Sequence, residues 1–261
     1  MRIEGDPGRG CLVICDHASN ALPPGFGTLG LPEGQFDRHI AYDIGAAGVA
    51  RGLARRLGVP AVLSCWSRLL IDPNRAIDDP TLVMQLSDGA VVPGNAGITT
   101  RDVARRIADY HEPYHQAISD AIASCIAAGK PPVILSVHSF TPAWKRAPRP
   151  WHVTILWDKD PRMARPLLAE LGRDRSLVVG ENEPYTGKLK GDCLYRHGTR
   201  KGLPHALIEV RQDLIASGEG QEEWAERLAR AVNAVMASPE GKEINAIEYH
   251  GSHTDEKAGT E

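Results

Sequence analysis

The chain has 261 residues and a formal net charge of -3, and 42% of its residues are hydrophobic. This length allows one large α/β domain or two small ones. No basic cluster alternates with aromatic residues, which argues against a nucleic-acid-binding surface. The five cysteines show no C-x-x-C spacing, the N-terminus lacks the apolar core of a signal peptide, and no apolar run approaches the length of a membrane span. We therefore expect a cytoplasmic protein that does not bind a membrane.

Short apolar runs alternate with helix-like segments along the chain. The apolar runs predict strands at 11–15, 60–65, 132–137, 152–157, 176–180 and 206–210. The helical periodicity predicts helices at 36–58, 99–129, about 161–172 and 221–238. This alternation predicts a single α/β domain, residues 1–238, with a mixed, mostly parallel central sheet flanked by helices. Residues 239–261 are polar and lack a period, which predicts a mobile C-terminal tail.

The stretch 67–95 is long and rich in turn-forming residues. Long loops in compact domains are usually functional or disordered. This one has apolar anchors, so we expect an ordered functional loop; the anchors are Leu69, Leu70, Ile71 and Val83. Asn74 and Arg75 lie within it, in "IDPNR". Because a guanidinium binds a carboxylate at two points, Arg75 is a candidate for the acid group of a substrate, with an ordinary surface arginine as the alternative.

Two strand-like runs each lead into a histidine. His17 follows "CLVIC", and His138 ends "VILSVH". In open parallel sheets, ligands bind at the carboxyl ends of the strands. Two neutral imidazoles at such ends suit a zinc ion, which in catalytic sites keeps one position for water. The alternative for each histidine is a structural role, with the ring bonded to a backbone carbonyl.

A zinc site of this kind needs a third protein ligand, and a carboxylate is the simplest choice. Asp43, Asp37 and Asp16 are the candidates. Asp43 interrupts the apolar pattern of the first predicted helix between small residues, where a buried acid without a cation would be costly. Its alternative is a structural acid bonded to a backbone N–H or to an arginine.

Glu209 lies inside an otherwise apolar strand pattern, "HALIEVRQDL". A desolvated glutamate has a raised pKa and can serve as general base towards a metal-bound water. Arg211 lies two residues further on, which is the same face of a strand. The alternative is therefore a buried ion pair between Glu209 and Arg211.

The segment "HEPYH", 111–115, fits the H-E-x-x-H signature of zinc proteases. That signature needs a regular helical turn, and Pro113 lacks the amide hydrogen and clashes with the carbonyl four residues back. We expect a distorted turn there, with His111 and His115 in packing or supporting positions.

Several segments, in this order along the chain, resemble the N-formylglutamate amidohydrolase family. They are "CDHASN", "RHIAYDIGA", "SRLLIDPNR", "VHSFTPAW", "RPWHVTILWD", "NEPY" and "GLPHALIEVRQDLI". The resemblance runs from about Cys11 to Ile215. It implies a zinc-carboxypeptidase-like fold, related to that of aspartoacylase, in which helices flank a mixed eight-stranded sheet. It also implies one zinc ion, an activated water and hydrolysis of an amide beside a carboxylate.

The resemblance also implies roles for individual residues. His17 and His138 match the two metal histidines, and Glu209 matches the late-strand catalytic glutamate. Asn74 and Arg75 match the pair that holds the substrate carboxylate in the carboxypeptidase and aspartoacylase relatives.

One position departs from that pattern, and two further residues are candidates for substrate binding. Asn20 stands where those relatives have their metal glutamate, so the third ligand is left open, with Asp43 as our choice. Tyr185 in "NEPYTG" is a candidate hydrogen-bond donor over the site, and Arg211 is a further candidate for substrate binding.

Three functional hypotheses follow. The first is a zinc-dependent amidohydrolase that acts on a small-molecule N-formyl or N-acyl amino acid similar to N-formylglutamate. The second is a carboxypeptidase or peptide amidase, and the third is a non-catalytic carboxylate-binding protein with the same fold. None of the three involves a nucleic acid or a membrane, and assembly into a homo-oligomer stays open.

Overall fold

The computed structural model describes residues 1–255. The strands in this part of the chain are β1 (Arg2–Ile3), β2 (Cys11–Cys15), β3 (Ala61–Leu63), β4 (Leu86–Ser87), β5 (Ala90–Val91), β6 (Val133–Phe140), β7 (Ala143–Trp144), β8 (Ala147–Pro148), β9 (Val153–Leu156), β10 (Val179–Glu181) and β11 (His205–Arg211). The α-helices are α1 (Ala46–Leu57), α2 (Thr100–Arg106), α3 (Glu112–Ala127), α4 (Ala164–Leu171), α5 (Cys193–His197), α6 (Gly218–Ala237) and α7 (Pro239–Lys242).

A central sheet of seven strands has the order β1-β3-β2-β6-β11-β9-β10. The four inner neighbours β3, β2, β6 and β11 run parallel, and β10 runs parallel to β9. The pairs β1–β3 and β9–β11 are antiparallel. The predicted α/β domain with a mixed, mostly parallel sheet is therefore confirmed, with seven strands in the described residues where the resemblance implied eight.

Helices cover both faces of this sheet, and the alternation of side chains along the strands decides which residues meet which helices. On β2, Val13 and Cys15 point into the larger apolar cluster, which also contains residues of α1, α4 and α6. Leu12 and Ile14 point to the opposite face, where the cluster includes residues of α3 and α5. No helix within residues 1–255 is both long enough and apolar enough to cross a lipid bilayer.

The first helix begins later than its periodicity predicts. The sequence indicates a helix from residue 36, but α1 starts at Ala46. Gly45 has φ 80°, and a Cβ there would lie 2.1 Å from the carbonyl oxygen of Ile215. The chain before Gly45 therefore forms turns, and the amide of Asp43 donates a hydrogen bond to the carbonyl of His17 (3.0 Å). Asp43 consequently lies in a turn beside His17 and not inside a helix.

The second predicted helix, 99–129, is divided into three parts. A π-helical turn, Ile107–His111, separates α2 from α3, and Pro113 lies in the first turn of α3. The helix runs on through this point, since the amide of Glu112 donates to the carbonyl of Ile107, whereas Pro113 has no amide hydrogen to donate. The expected distortion around Pro113 thus takes the form of a π-helical turn just before it.

The C-terminal segment packs against the domain as far as the structure describes it. Ile244 is buried, and Asn245 Nδ2 donates to the carbonyls of Gly10 (2.8 Å) and Pro131 (2.6 Å). The hydroxyl of Ser252 donates to Asp158 Oδ2 (2.6 Å). Residues 239–255 therefore make specific contacts with the domain that no periodicity reveals, and the expected mobility of the tail stays a prediction. Residues 256–261, the rest of the expected tail, lie outside the described residues.

The long loop 67–95 is ordered, as predicted. Its apolar anchors are all buried: Leu69, Leu70, Ile71 and Val83. They belong to two small apolar clusters beside the main core. Because the loop is fixed in this way, its polar residues are held over the carboxyl edge of the sheet.

Candidate active site

The polar residues of the candidate site emerge where β2 and β6 lie side by side. His17 follows β2 by two residues, and His138 lies two residues before the end of β6. Glu209 on β11 is paired in register with His138, so the two side chains are neighbours across the sheet. A cavity of about 520 Å³ opens at this edge. It is lined by His17, His39, Asp43, Arg68, Asn74, Arg75, His138, Ser139, Phe140, Thr141, Leu156, Asn182, Pro184, Tyr185, Thr186, Leu189, Leu207 and Glu209.

His17, Asp43 and His138 meet in this cavity, and we call them the His–Asp–His cluster. The two imidazole rings have centroids 5.0 Å apart. His138 Nδ1 lies 2.8 Å from Asp43 Oδ2, and His17 Nδ1 lies 3.3 Å from Asp43 Oδ1. One ligand atom from each residue lies within 4.8 Å of the other two. Two imidazole nitrogens and a carboxylate oxygen at these separations can bind one zinc ion and leave a position for water.

The Nε2 atom of each imidazole lies beside a second carboxylate. His138 Nε2 lies 2.9 Å from Asp16 Oδ2, and His17 Nε2 lies 2.7 Å from Asp72 Oδ1. When Nε2 carries the proton and donates it to the carboxylate, Nδ1 presents its lone pair towards Asp43. Histidines that bind metals usually have their second nitrogen fixed in this way. The donor set and its supporting carboxylates therefore fit a divalent cation.

The electrostatics of the cluster favour positive charge beside Asp43. Burial would raise the pKa of Asp43, but His17 and His138 outweigh it and hold that pKa below its ordinary value. Burial would also lower the pKa of His138, but hydrogen bonds to Asp16 and Asp43 outweigh it and raise the pKa well above the ordinary value. The attraction between the imidazoles and the carboxylates thus outweighs desolvation at both residues, and a divalent cation would supply the positive charge that the carboxylates attract.

Glu209 is buried in the wall of the same cavity. It is 7% exposed, and its Oε2 has no hydrogen-bond partner. Burial raises the pKa of its carboxyl to about 7. The ion pair with Arg211 does not form, because Arg211 lies outside the cavity lining and its guanidinium bonds to Asp213 (2.8 Å). Arg211 is therefore not among the residues that line the cavity, and its role in substrate binding stays a prediction.

Arg68 is a residue of the site that the sequence analysis missed. Its Nη2 donates to Asp72 Oδ2 (2.6 Å), and its Nη1 lies 3.3 Å from His17 Nδ1 and 3.8 Å from Asp43 Oδ1. The only feature of the sequence that could have indicated this role is the spacing of Arg68 and Asp72, four residues apart on either side of "LLI" in the long loop. That spacing carries no meaning outside a helix, and here a turn brings the two side chains together.

Asn74 and Arg75 occupy the wall of the cavity supplied by the long loop. Asn74 Oδ1 accepts a hydrogen bond from the amide of Cys193 (3.0 Å), so the amide nitrogen is the end of this side chain that can donate to a ligand. The guanidinium of Arg75 is fixed by the carbonyl of Asn74 (3.0 Å) and by Thr81 Oγ1 (3.2 Å). The pair is therefore held in place before any ligand binds.

The remaining candidates differ in how close they lie to the His–Asp–His cluster. Tyr185 lines the cavity at its rim, where it is 44% exposed and its hydroxyl accepts from Arg149 Nη1 (3.2 Å). Asn20 is used structurally, since its Nδ2 donates to the carbonyl of Phe36 (2.9 Å). Asp37 is exposed, and neither Asn20 nor Asp37 lines the cavity.

The H-E-x-x-H segment does not form a protease-like zinc site. His111 Nε2 and His115 Nε2 lie 3.3 Å apart, but Glu112 does not lie between them and approaches only His111 Nδ1 on the other side of that ring, at 3.5 Å. Both of its carboxylate oxygens accept from Arg196, at 3.1 and 2.8 Å. A glutamate held in this way cannot activate water between the two histidines.

Comparison with known proteins agrees with this fold. The chain is similar to a solved gene product of Agrobacterium tumefaciens, with 33% identity over 88% of this chain and 92% of the other and a TM-score of 0.83. A solved N-formylglutamate amidohydrolase from Ralstonia eutropha shares the fold, with a TM-score of 0.61 and 22% identity over 95% of this chain and 97% of the other.

No curated protein matches the chain closely enough to add to this comparison. The family model described as N-formylglutamate amidohydrolase, however, matches residues 9–216. The chain therefore belongs to the N-formylglutamate amidohydrolase family, whose members are hydrolases that act on amides.

Proposed function

We propose that this protein is a zinc-dependent amidohydrolase that cleaves the amide bond of an N-formyl or N-acyl amino acid. The observation that carries this proposal is the convergence of three donors, His17 Nδ1, His138 Nδ1 and the Asp43 carboxylate, beside an unpartnered glutamate oxygen in one cavity. When bound there, the ion would polarise the scissile carbonyl and lower the pKa of an attacking water.

Glu209 is the general base in this proposal. Its carboxyl has a pKa of about 7, so it can both accept and return a proton near neutral pH. Its Oε2 is directed at no other protein group within hydrogen-bonding distance. We assign to it the removal of a proton from the attacking water and the delivery of that proton to the leaving nitrogen.

Arg68 supplies positive charge next to the reacting carbonyl. Its guanidinium is anchored by Asp72 through Nη2, while Nη1 reaches the edge of the His–Asp–His cluster. A donor that is fixed before the reaction stabilises negative charge developing on an oxygen without reorganising. We therefore assign to Arg68 a hydrogen bond to the carbonyl oxygen of the scissile amide.

Asn74 and Arg75 support the choice of substrate class. A guanidinium and an amide on the same wall of the cavity can bind a free carboxylate at several points. The cavity, at about 520 Å³, lies within the range of small-ligand sites. Both features favour a single N-acyl amino acid over a long peptide.

The decisive experiment combines metal analysis with a substrate panel. We expect zinc in the purified protein, and hydrolysis of N-formyl or N-acetyl amino acids that is lost when the ion is removed by a chelator. A matched substrate with an amidated carboxyl should react poorly, because it has no charge for Arg75. Absence of both bound metal and hydrolysis would favour a carboxylate-binding protein without catalysis. Efficient cleavage of peptides alone would favour a peptide amidase.

A further inference from the structure

A second group of potential ligands lies outside the cavity, where α3 meets α5. His111 ends the π-helical turn before α3, and His115 lies four residues on in the first turn of α3. Cys193 and His197 are four residues apart on α5. Residues four apart lie on the same face of a helix. We call these four residues the rear cluster, and each is at most 2% exposed.

Three of these side chains converge on one point. His115 Nδ1 lies 2.8 Å from His197 Nε2, and the two rings are stacked with centroids 5.1 Å apart. One ligand atom from each of His115, His197 and Cys193 lies within 4.8 Å of the other two. The three donors come from two helices, so they join segments that are far apart in the sequence.

The rear cluster places four buried side chains with polar atoms together inside the protein. The ring nitrogens His111 Nδ1 and His197 Nδ1 are buried without a hydrogen-bond partner. Unpartnered buried polar atoms are uncommon in folded proteins and call for an explanation.

Supporting contacts behind His115 resemble those of metal-bound histidines. His115 Nε2 lies 3.3 Å from His111 Nε2, and His111 Nδ1 lies 3.5 Å from Glu112 Oε1. Glu112 is in turn held by Arg196. When His111 carries its proton on Nδ1, towards Glu112, its Nε2 accepts from His115 Nε2 instead of donating to the carbonyl of Arg75. In that arrangement His115 Nδ1 is left free to bind a cation.

We propose that His115 Nδ1, His197 Nε2 and Cys193 Sγ form a second, structural zinc site that joins α3 to α5. Nitrogen and sulfur donors are the set that zinc prefers in structural sites. Binding requires the two ring nitrogens to separate slightly, since zinc–nitrogen bonds are about 2.0–2.1 Å long. It also requires the thiol of Cys193 to release its proton, which burial opposes first and the nearby carboxylates of Asp16 and Asp192 oppose further.

An ion at this position would stabilise the part of the cavity wall that Asn74 and Arg75 form. The amide of Cys193 donates to Asn74 Oδ1 (3.0 Å), and His111 Nε2 lies 3.2 Å from the carbonyl of Arg75. The rear cluster is therefore in direct contact with the pair that we assign to the substrate carboxylate. Its role would be structural, since no ligand of the second site lines the cavity.

Cobalt(II) is a suitable probe because a thiolate ligand gives it a strong charge-transfer absorption in the near ultraviolet that nitrogen and oxygen ligands do not give. The first site has no cysteine among its candidate ligands, so this absorption reports on the rear cluster alone. In a variant that carries both His17→Ala and His138→Ala, we expect one equivalent of bound cobalt together with this absorption. The absorption should disappear in Cys193→Ser. It should persist in Cys125→Ser, because Cys125 is a buried cysteine of α3 that does not belong to the rear cluster.

Two results would overturn the proposal. One is wild-type protein that binds cobalt without the thiolate absorption, because then the contact between His115 and His197 is only a hydrogen bond between two imidazoles. The other is an absorption that survives Cys193→Ser, because then a different thiol binds the ion. The wild-type measurement needs no variant to fold, and neither result depends on whether the protein hydrolyses amides.

Discussion

Glu209 shows how one buried carboxyl can affect both stability and turnover. The ordinary pKa of a glutamate carboxyl is 4.5, and burial raises that of Glu209 to about 7. Between these two values the folded protein keeps a proton that the unfolded chain has lost. The free energy of unfolding of the metal-free protein therefore falls as the pH rises through this window.

Replacing Glu209 by Gln should separate the two effects. The amide keeps the shape but cannot accept the proton, so we expect turnover to fall by about 10²–10⁴-fold while zinc is retained. Without metal, the variant should be more stable than the wild type at pH 8, by on the order of 3 kcal/mol, and this difference should vanish near pH 4. Steady-state kinetics and thermal melting at the two pH values measure both quantities.

A matched control for this variant is Glu181→Gln, since Glu181 is exposed and bonds to Trp157 away from the cluster. That control should keep its turnover and show no such pH-dependent gain. Near-normal turnover of the Glu209 variant, combined with a loss of stability at pH 8, would contradict a catalytic role and indicate a structural carboxylate.

Arg75 should determine the preference for a free carboxylate. In Arg75→Lys the charge remains but the planar two-point contact is lost, so we expect KM for N-acyl amino acids to rise about 10–100-fold with a smaller change in kcat. For the substrate with an amidated carboxyl, KM should rise much less. Kinetics on both substrates check this, with Arg101→Lys on the exposed face of α2 as the control. An unchanged KM would remove Arg75 from the site.

At the scale of elements, turns and loops position the site more than the helices do. The turns before Gly45 bring Asp43 to His17, and the loop 67–95 brings Arg68, Asn74 and Arg75 over the same edge of the sheet. Loops on a rigid scaffold commonly carry functional residues, because strands and helices supply the fixed frame. Here the frame is the parallel group of β2, β6 and β11.

The C-terminal segment is an element whose importance can be measured. Deletion of residues 239–261 would remove the buried side chain of Ile244 and the two hydrogen bonds that Asn245 makes to Gly10 and Pro131. We expect the free energy of unfolding to fall by at least about 2 kcal/mol. Denaturant titration measures the loss, and deletion of 256–261 alone is the control. A mobile tail would instead leave the stability unchanged.

At the scale of the whole molecule, folding and metal binding should be linked but separable. The large apolar cluster around α1, α4 and α6 contains none of the candidate metal ligands. Metal-free protein should therefore keep its secondary structure and unfold cooperatively. Zinc at 1,000 times its dissociation constant should add about 4 kcal/mol of stability.

His138→Ala tests this linkage for the first site. The variant should remain folded but lose the share of zinc stabilisation that this site contributes, as shown by melting with and without added zinc. Loss of the far-ultraviolet circular dichroism on chelation alone would contradict the separation, because it would mean that the ion is needed for the sheet to form.

The sequence by itself determined the features that depend on local pattern. The order of strands and helices predicted the α/β class, because alternation and helical periodicity report which face of each element is buried. The same reasoning placed His17 and His138 at one edge of the sheet, singled out Glu209 in an apolar strand, and identified 67–95 as an ordered loop. The family resemblance followed from segments of the same kind.

Only the tertiary structure decided which distant residues meet. Asp43 was one of three possible acids, and the turn before Gly45 brings it to both imidazoles. Asp16 Oδ2 lies 2.9 Å from His138 Nε2, although the two residues are 122 positions apart in the sequence. Arg68 reaches the His–Asp–His cluster through a turn. Periodicity describes neighbours along one element, whereas these contacts depend on how separate elements pack. For the same reason, Cys193 and His197 could not be related to His115 until α5 was seen against α3.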